Sequence, residues 1–231
     1  MTLRHDTHID GVHIKDIILG GQDGLVNVLG LVLGVAAATH DVRLVIISGL
    51  AGTFAESISM AAVAYTSAKA ARDFYFGELA REESEIETIP HIEKKEIEDI
   101  YKKKGFRGTL LKQVVNKITS RREVWLLTMM SEELRMFPDD YMNPASDAMI
   151  VGFSSLIGSL VPLVAFFYVN NVGVGIVLSV IISAIALFVT GALKAKYTIG
   201  DWKKSGIEMM LIGLASALIG YGIGRILGVA F

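Results

Sequence analysis

The sequence predicts an all-α membrane protein in which five transmembrane helices are interrupted, between the second and third, by a water-exposed helical insert. Three observations carry that reading. Of 231 residues, 52% are hydrophobic, a count that leaves out the 23 glycines, and the mean hydropathy is +0.50. Soluble domains reach about 45–50% apolar only with glycine included. Five windows are long and apolar enough to span a bilayer, which takes about 20 residues. Charge is segregated between them: residues 69–147 hold 14 of the 22 Lys and Arg and 16 of the 24 acids.

The windows run Ile17–Ala38, Leu44–Ala68, Ala148–Val169, Val172–Leu193 and Ile207–Val229. The third and fourth carry no charge before Lys194. The first contains Asp23, the second Glu56, and the fifth Glu208 and Arg225. A central acid costs about 2.5–3.5 kcal/mol on the insertion scale, and each Leu, Ile, Val or Phe returns about 0.3–0.6. The branched residues around Asp23 offset that cost, so the first window spans and keeps its acid for a reason. Glu208 and Arg225 read as a pair or as snorkelling groups, with no role assigned.

The chain divides into a tail with the first two membrane helices (1–68), a cytoplasmic helical region (69–147) and membrane helices three to five (148–231). Within the insert, Pro90 breaks one helix and Gly105 stops the next. The strings TLLKQVVNKI and REVWLLTMMSEELRMF supply the remaining helical material. Nothing but Gly77 interrupts the chain between Tyr65 and Glu87, so the second membrane helix is expected to run straight into the insert. Lys and Arg in short flanks set orientation. The hairpin Thr39–Arg43 has one, the connection Lys194–Lys204 has four and the insert has 14. The insert and N-terminus are therefore expected in the cytoplasm and the C-terminus outside. The polar start MTLRHDTHIDGVHIKD shows no cleavable secretory signal.

Several function classes drop out. The chain has no cysteine, which removes disulfides, thiolate zinc sites and cysteine nucleophiles. A net charge of −2 argues against nucleic acid as a partner. No organic cofactor is expected.

Asp23 and Asn27 are one turn apart and share a helix face, and Glu56, Ser59 and Met60 form a stripe on the second span. Two acids and a thioether at membrane depth point to a cation path. Glycines 20, 21, 24, 30 and 34 give the first helix small-xxx-small faces, and Gly220, Gly224 and Gly228 repeat the pattern in the fifth. Such faces serve intrachain packing or a dimer seam. In the insert, Glu82 with Glu85 and Glu93 with Glu96 are i, i+3 pairs on either side of Pro90. Met129, Met130 and Glu133 follow on a later helix. Carboxylates suit iron(II), manganese or magnesium, and a thioether tilts the choice toward a transition metal. From spacing alone the same strings also suit a salt-bridged, solvated helix and a core methionine pair. His5, His8 and His13 read as a metal-capturing group or a simple tail, and His91 is similarly open.

Four strings in order carry a resemblance to a known family: DG in the first span, ESISMAAVAY in the second, REESEIETIPHIEKKE in the insert and WLLTMMSEEL before the third span. Together they resemble the vacuolar iron transporter family over nearly the whole chain, from about His13 to Val229. The resemblance implies a homodimer of five-span protomers in a lipid bilayer, with a three-helix cytoplasmic metal-binding domain. It implies movement of iron(II), and often manganese(II), out of the cytosol in exchange for protons. The membrane would be vacuolar in a eukaryote and the plasma membrane in a prokaryote. It also implies that Asp23 and Met60 line the path and that Glu82, Glu85, Glu93, Glu96, Met129, Met130 and Glu133 bind metal. Plant members carry an acid where this chain has Gly52, and Glu56, one turn on, is read as its replacement. Val26-Asn27-Val28 likewise stands where plant members have Thr-Val-Pro.

Two other functions stay in view. A membrane-anchored di-iron oxidase usually takes Glu-x-x-His pairs from facing helices, whereas the insert has Glu-x-x-Glu. A metal-binding scaffold without transport would have no use for Asp23 and Glu56.

Overall fold

Every regular element in the computed structural model, which describes residues 11–138, 143–197 and 200–230, is helical. Helix α1 covers Gly11–Thr39 and α2 covers Val42–Thr88. The turn between them places His40 at φ 55°, and Asp41 Oδ1 accepts the Arg43 amide at 2.7 Å. Asp41 thereby satisfies one of the open donors at the start of α2. Helix α2 runs without a break through Gly77, as its sequence predicts. It ends where Ile89 precedes a proline, a position biased away from helical geometry. Pro90 then opens α3 (Pro90–Lys103) at a position where its missing N–H is no loss. Gly105, at φ 100°, turns the chain out of α3.

Helices α4 (Gly108–Thr119) and α5 (Arg122–Thr128) follow, and α5 continues into a π-helical turn at Met129–Glu133. After these come α6 (Pro144–Leu160), a 3₁₀ turn (Val161–Leu163), α7 (Val164–Tyr168), α8 (Val172–Tyr197) and α9 (Trp202–Ala230). Among the described residues, five stretches are long and apolar enough to cross a membrane: Ile14–Thr39, part of Val42–Thr88, Pro144–Tyr168, Val172–Lys196 and Trp202–Gly228. The third departs from the single helix expected. Pro162 lacks an amide hydrogen and crowds the preceding turn, so the helix tightens to 3₁₀ and restarts. Ser179 Oγ of the later helix donates to the Pro162 carbonyl at 2.7 Å.

The described chain forms two compact units, residues 1–65 with 145–231, and residues 66–144. In the first, α1 is the central helix, with Val28, Leu29, Val32, Leu33 and Ala36 buried. Glycines bring its neighbours close. A Cβ on Gly220 of α9 would collide with the Gly30 carbonyl, and one on Gly158 of α6 with the Gly21 carbonyl. In lipid, which gives no hydrophobic drive between helices, such backbone contact is how helices bind one another. The glycine stripe of α9 thus serves packing within the chain. Phe54, Ile58, Phe153, Leu218, Ile219 and Ile226 point outward and are exposed, a surface that suits lipid. Glu208 and Arg225 are both exposed and lie 17 residues apart along α9, ~25 Å at 1.5 Å per residue. They therefore do not pair within the chain.

The second unit has its own apolar core of Ile86, Ile97, Leu111, Val115, Trp125 and Met129. Its helical material is the end of α2 together with α3, α4 and α5. His5 and His8 lie outside the described residues, and His13 falls in the first turn of α1.

Candidate metal centres

Asn27 joins two helices of membrane-spanning length. Its Nδ2 donates to Asp23 Oδ2 at 3.2 Å, one turn back on α1, and to Glu56 Oε1 at 2.9 Å on α2. The i, i+4 spacing puts Asp23 and Asn27 on one face; the approach of Glu56 is a property of the packing. Asp23 and Glu56 are half-buried and Asn27 is exposed. Met60 follows Glu56 by one turn and is half-buried, while Ser59 is exposed. Among the described residues no lysine or arginine forms an ion pair with either acid. Both hydrogens of the Asn27 amide are used, one on each carboxylate. Gly52, one turn before Glu56, leaves space that a side chain would take from Leu31.

The second centre lies in residues 66–144. Glu82, Glu85 and Glu93 each offer a carboxylate oxygen, all within 4.8 Å of one another. Glu82 comes from the end of α2 and Glu93 from the first turn of α3, so the break at Pro90 is what folds the pairs together. Glu82 and Glu93 are each only 2% exposed, and each holds one buried oxygen with no hydrogen-bond partner. Buried carboxylate oxygens left open cost free energy unless something fills the gap. A divalent cation would do so.

Electrostatics add Glu96 and Glu133. Burial, then the neighbouring Glu96, Glu82, Glu85 and Glu133, push the Glu93 carboxyl up to about 7. Glu133 is exposed, yet partial desolvation and the charges of Glu96, Glu82 and Glu85, with a hydrogen bond to Glu96, push it up to about 7 as well. Glu82 is raised by burial and by Glu85, against the opposing pull of Arg81. Five carboxylates therefore share one region and cannot all ionise cheaply without a counter-cation. Met130 is buried at the start of the π-helical turn and stands outside the apolar core cluster, whereas Met129 belongs to it. Glu133 closes the same turn, through which the Leu134 amide reaches the Met129 carbonyl at 3.2 Å. Such turns cluster at functional sites.

Two features escaped sequence reasoning. The π-helical turn has no reliable sequence signal. Arg81, one residue before Glu82, could have been noticed: its guanidinium lies 2.8 Å from Glu78, 3.7 Å from Glu82 and 3.8 Å from Glu85. A cation on a flexible stem thus stands beside the acids. Farther out, Arg122 pairs with Glu83 and Glu87, and Lys104 with Glu132. His91 is exposed and takes no part in the cluster.

Among the described residues, five helices of membrane-spanning length, two of them joined through Asp23, Asn27 and Glu56, define the class: an integral membrane protein. Residues 14–225 match the VIT family, and the chain belongs to it. It is 30% identical to vacuolar iron transporter 1 of Tulipa gesneriana, over 96% of this chain and 89% of that protein. Vacuolar iron transporter 2 of Oryza sativa subsp. japonica is 31% identical over 93% and 87%. The vacuolar iron transporter of Toxoplasma gondii (strain ATCC 50861 / VEG) is 30% identical over 96% and 76%. These are names of transporters and not of enzymes.

Proposed function

We propose that this chain moves iron(II), and accepts manganese(II), out of the cytosol in exchange for protons, working as a homodimer. The observation that carries the reading is the Asp23–Asn27–Glu56 bridge. Carboxylates on spanning helices are expensive and mark ion pathways. Asp23, Asn27, Glu56 and Met60 form the path, and Glu56 acts in place of the acid absent at Gly52. Asn27 is open at the surface of the single chain, where lipid offers no hydrogen-bond partner. A second copy packed on this face would cover it and bring two sets of ligands together. The α9 glycines are occupied within the chain, which favours α1 and α2 for that contact.

Residues 66–144 act as a cytoplasmic metal-binding domain. Glu82, Glu85, Glu93, Glu96 and Glu133 supply hard oxygens, and Met130 with Met129 supplies thioether sulfur that favours transition metals over magnesium. The host membrane is vacuolar for a eukaryotic source and the plasma membrane for a prokaryotic one. The test is metal flux in proteoliposomes under an imposed pH gradient. Iron(II) or manganese(II) should move against protons in wild type. Asp23→Asn should still fold and dimerise while losing flux; wild-type flux from that variant would overturn the path.

A further inference from the structure

A cleft of about 450 Å³ opens between the end of α3 and the π-helical turn, within residues 66–144. Ligand pockets begin at about 300 Å³, so it has room for a small molecule. Ile100, Lys103 and Lys104 line it from α3, and Glu132, Glu133 and Arg135 line it from the turn. The charges do not cancel. Lys104 pairs with Glu132, and a hydrogen bond ties Glu133 to Glu96. Among the described residues, neither Lys103 nor Arg135 has an ion pair or a side-chain hydrogen bond. Basic side chains often bond the last carbonyls of a helix, but those carbonyls are taken here. The Ile100, Tyr101 and Lys102 carbonyls accept the Lys104, Phe106 and Gly105 amides, and the Met129 and Met130 carbonyls accept those of Leu134 and Met136. Arg135 also stands at φ 56°, a left-handed conformation that glycine usually fills after a helix and that strains other residues. An arginine kept at such a position points to a use for its side chain.

We infer that this cleft binds a small multivalent oxyanion, a polycarboxylate or a phosphate, that shares the metal ion held by Glu133 and its neighbours. Lys103 and Arg135 supply two uncompensated positive charges, and a guanidinium matches the paired oxygens of carboxylate and phosphate alike. Glu133 is both a wall of the cleft and a member of the acidic cluster, so an anion seated beside it meets a metal ion on the same carboxylate. The inference rests on the proposed metal-binding role of that cluster. On that reading the cargo is accepted as an anionic chelate. Without metal the glutamates repel the anion; a bound cation offsets that repulsion, so metal and anion tighten one another.

The experiment is equilibrium binding of radiolabelled citrate and, separately, radiolabelled phosphate to the purified full-length protein in detergent. Each is measured without metal and at a fixed free manganese(II) concentration, and manganese binding is measured in chloride alone. Manganese should tighten the anion by at least about ten-fold, and the probe that responds names the class, polycarboxylate or phosphate. Lys103→Gln and Arg135→Gly should each weaken that binding by about ten-fold, the loss of one charged hydrogen bond, while still binding manganese in chloride. Glycine suits the backbone at position 135, so Arg135→Gly removes the charge and keeps the fold. Equal anion binding by wild type and both variants, or no response to manganese in protein that binds manganese alone, would overturn the cleft. Absence of manganese binding by wild type in chloride would instead bring down the cluster, and the shared metal with it.

Discussion

The amide nitrogen of Asn27 lies 2.9 Å from Glu56 Oε1 while also donating to Asp23, so one neutral side chain holds two carboxylates of different helices at a shared point. Removing it should be felt by both. A hydrogen bond to a charged group contributes about 1.5–3 kcal/mol. Asn27→Ala should therefore lower metal affinity in the path by roughly ten- to a hundred-fold. Flux against metal concentration in proteoliposomes measures this, and a wild-type half-saturation point would show that the bridge is incidental. Glu56→Gln should reduce the pH dependence of flux more than metal binding.

The acidic cluster makes binding pH-dependent with a definite sign. Carboxylate ligands must lose their protons to bind metal, and Glu93 and Glu133 do so only near 7. Manganese affinity of the whole protein should fall steadily from pH 7.5 to 5.5. Stability of the metal-free protein runs the other way. Folded values raised above the ordinary 4.5 mean that the folded state holds more protons between about 4.5 and 7. Stability is then lost as pH rises through that window, and bound manganese restores it. Trp125 fluorescence in a Trp202→Phe background follows both effects. A pH-independent affinity would remove these glutamates as ligands.

Arg81 lies beside Glu82 and Glu85 and would compete with a metal ion for them in the proposed site. Replacing it with Gln should raise manganese affinity by up to about five-fold, since exposed pairs contribute roughly 0.2–1 kcal/mol. The gain should shrink at high salt. Weaker binding in Arg81→Gln would instead mean that Arg81 supports the site's geometry.

Close packing of α9 on α1 predicts a sharp size limit at Gly220. A side chain there meets the Gly30 backbone, which cannot give way as a flexible side chain can. Gly220→Val should destabilise at the upper end of the about 1–3 kcal/mol typical of overpacking. A drop in melting temperature in detergent reads this out. Gly222→Val, where nothing lies within 4 Å, is the matched control and should be neutral.

Orientation is testable because the chain has no native cysteine. A single cysteine at Lys103 should be labelled only from the cytoplasmic side, and one placed near Asn170 only from outside. External labelling at Lys103 would invert the proposed topology.

Composition and periodicity alone determined the all-helical class, the approximate spans and the unbroken run of α2, because lipid demands long apolar segments and only Pro or Gly interrupts them. The i, i+4 pairing of Asp23 with Asn27 and the i, i+3 pairs of glutamates were legible for the same reason: helical neighbours follow from a fixed 3.6-residue turn. What lies between helices was not legible. The reach of Asn27 to Glu56, 29 residues away, depends on how α1 and α2 pack, and so does the choice of α1 as the partner of the α9 glycines. The 3₁₀ break at Pro162 and the π-helical turn at Met129–Glu133 came only from the tertiary structure. At the first, Ser179 of α8 donates to the Pro162 carbonyl, a contact between segments that no local pattern encodes. Local sequence fixes which groups share a helix face; only packing fixes which faces meet.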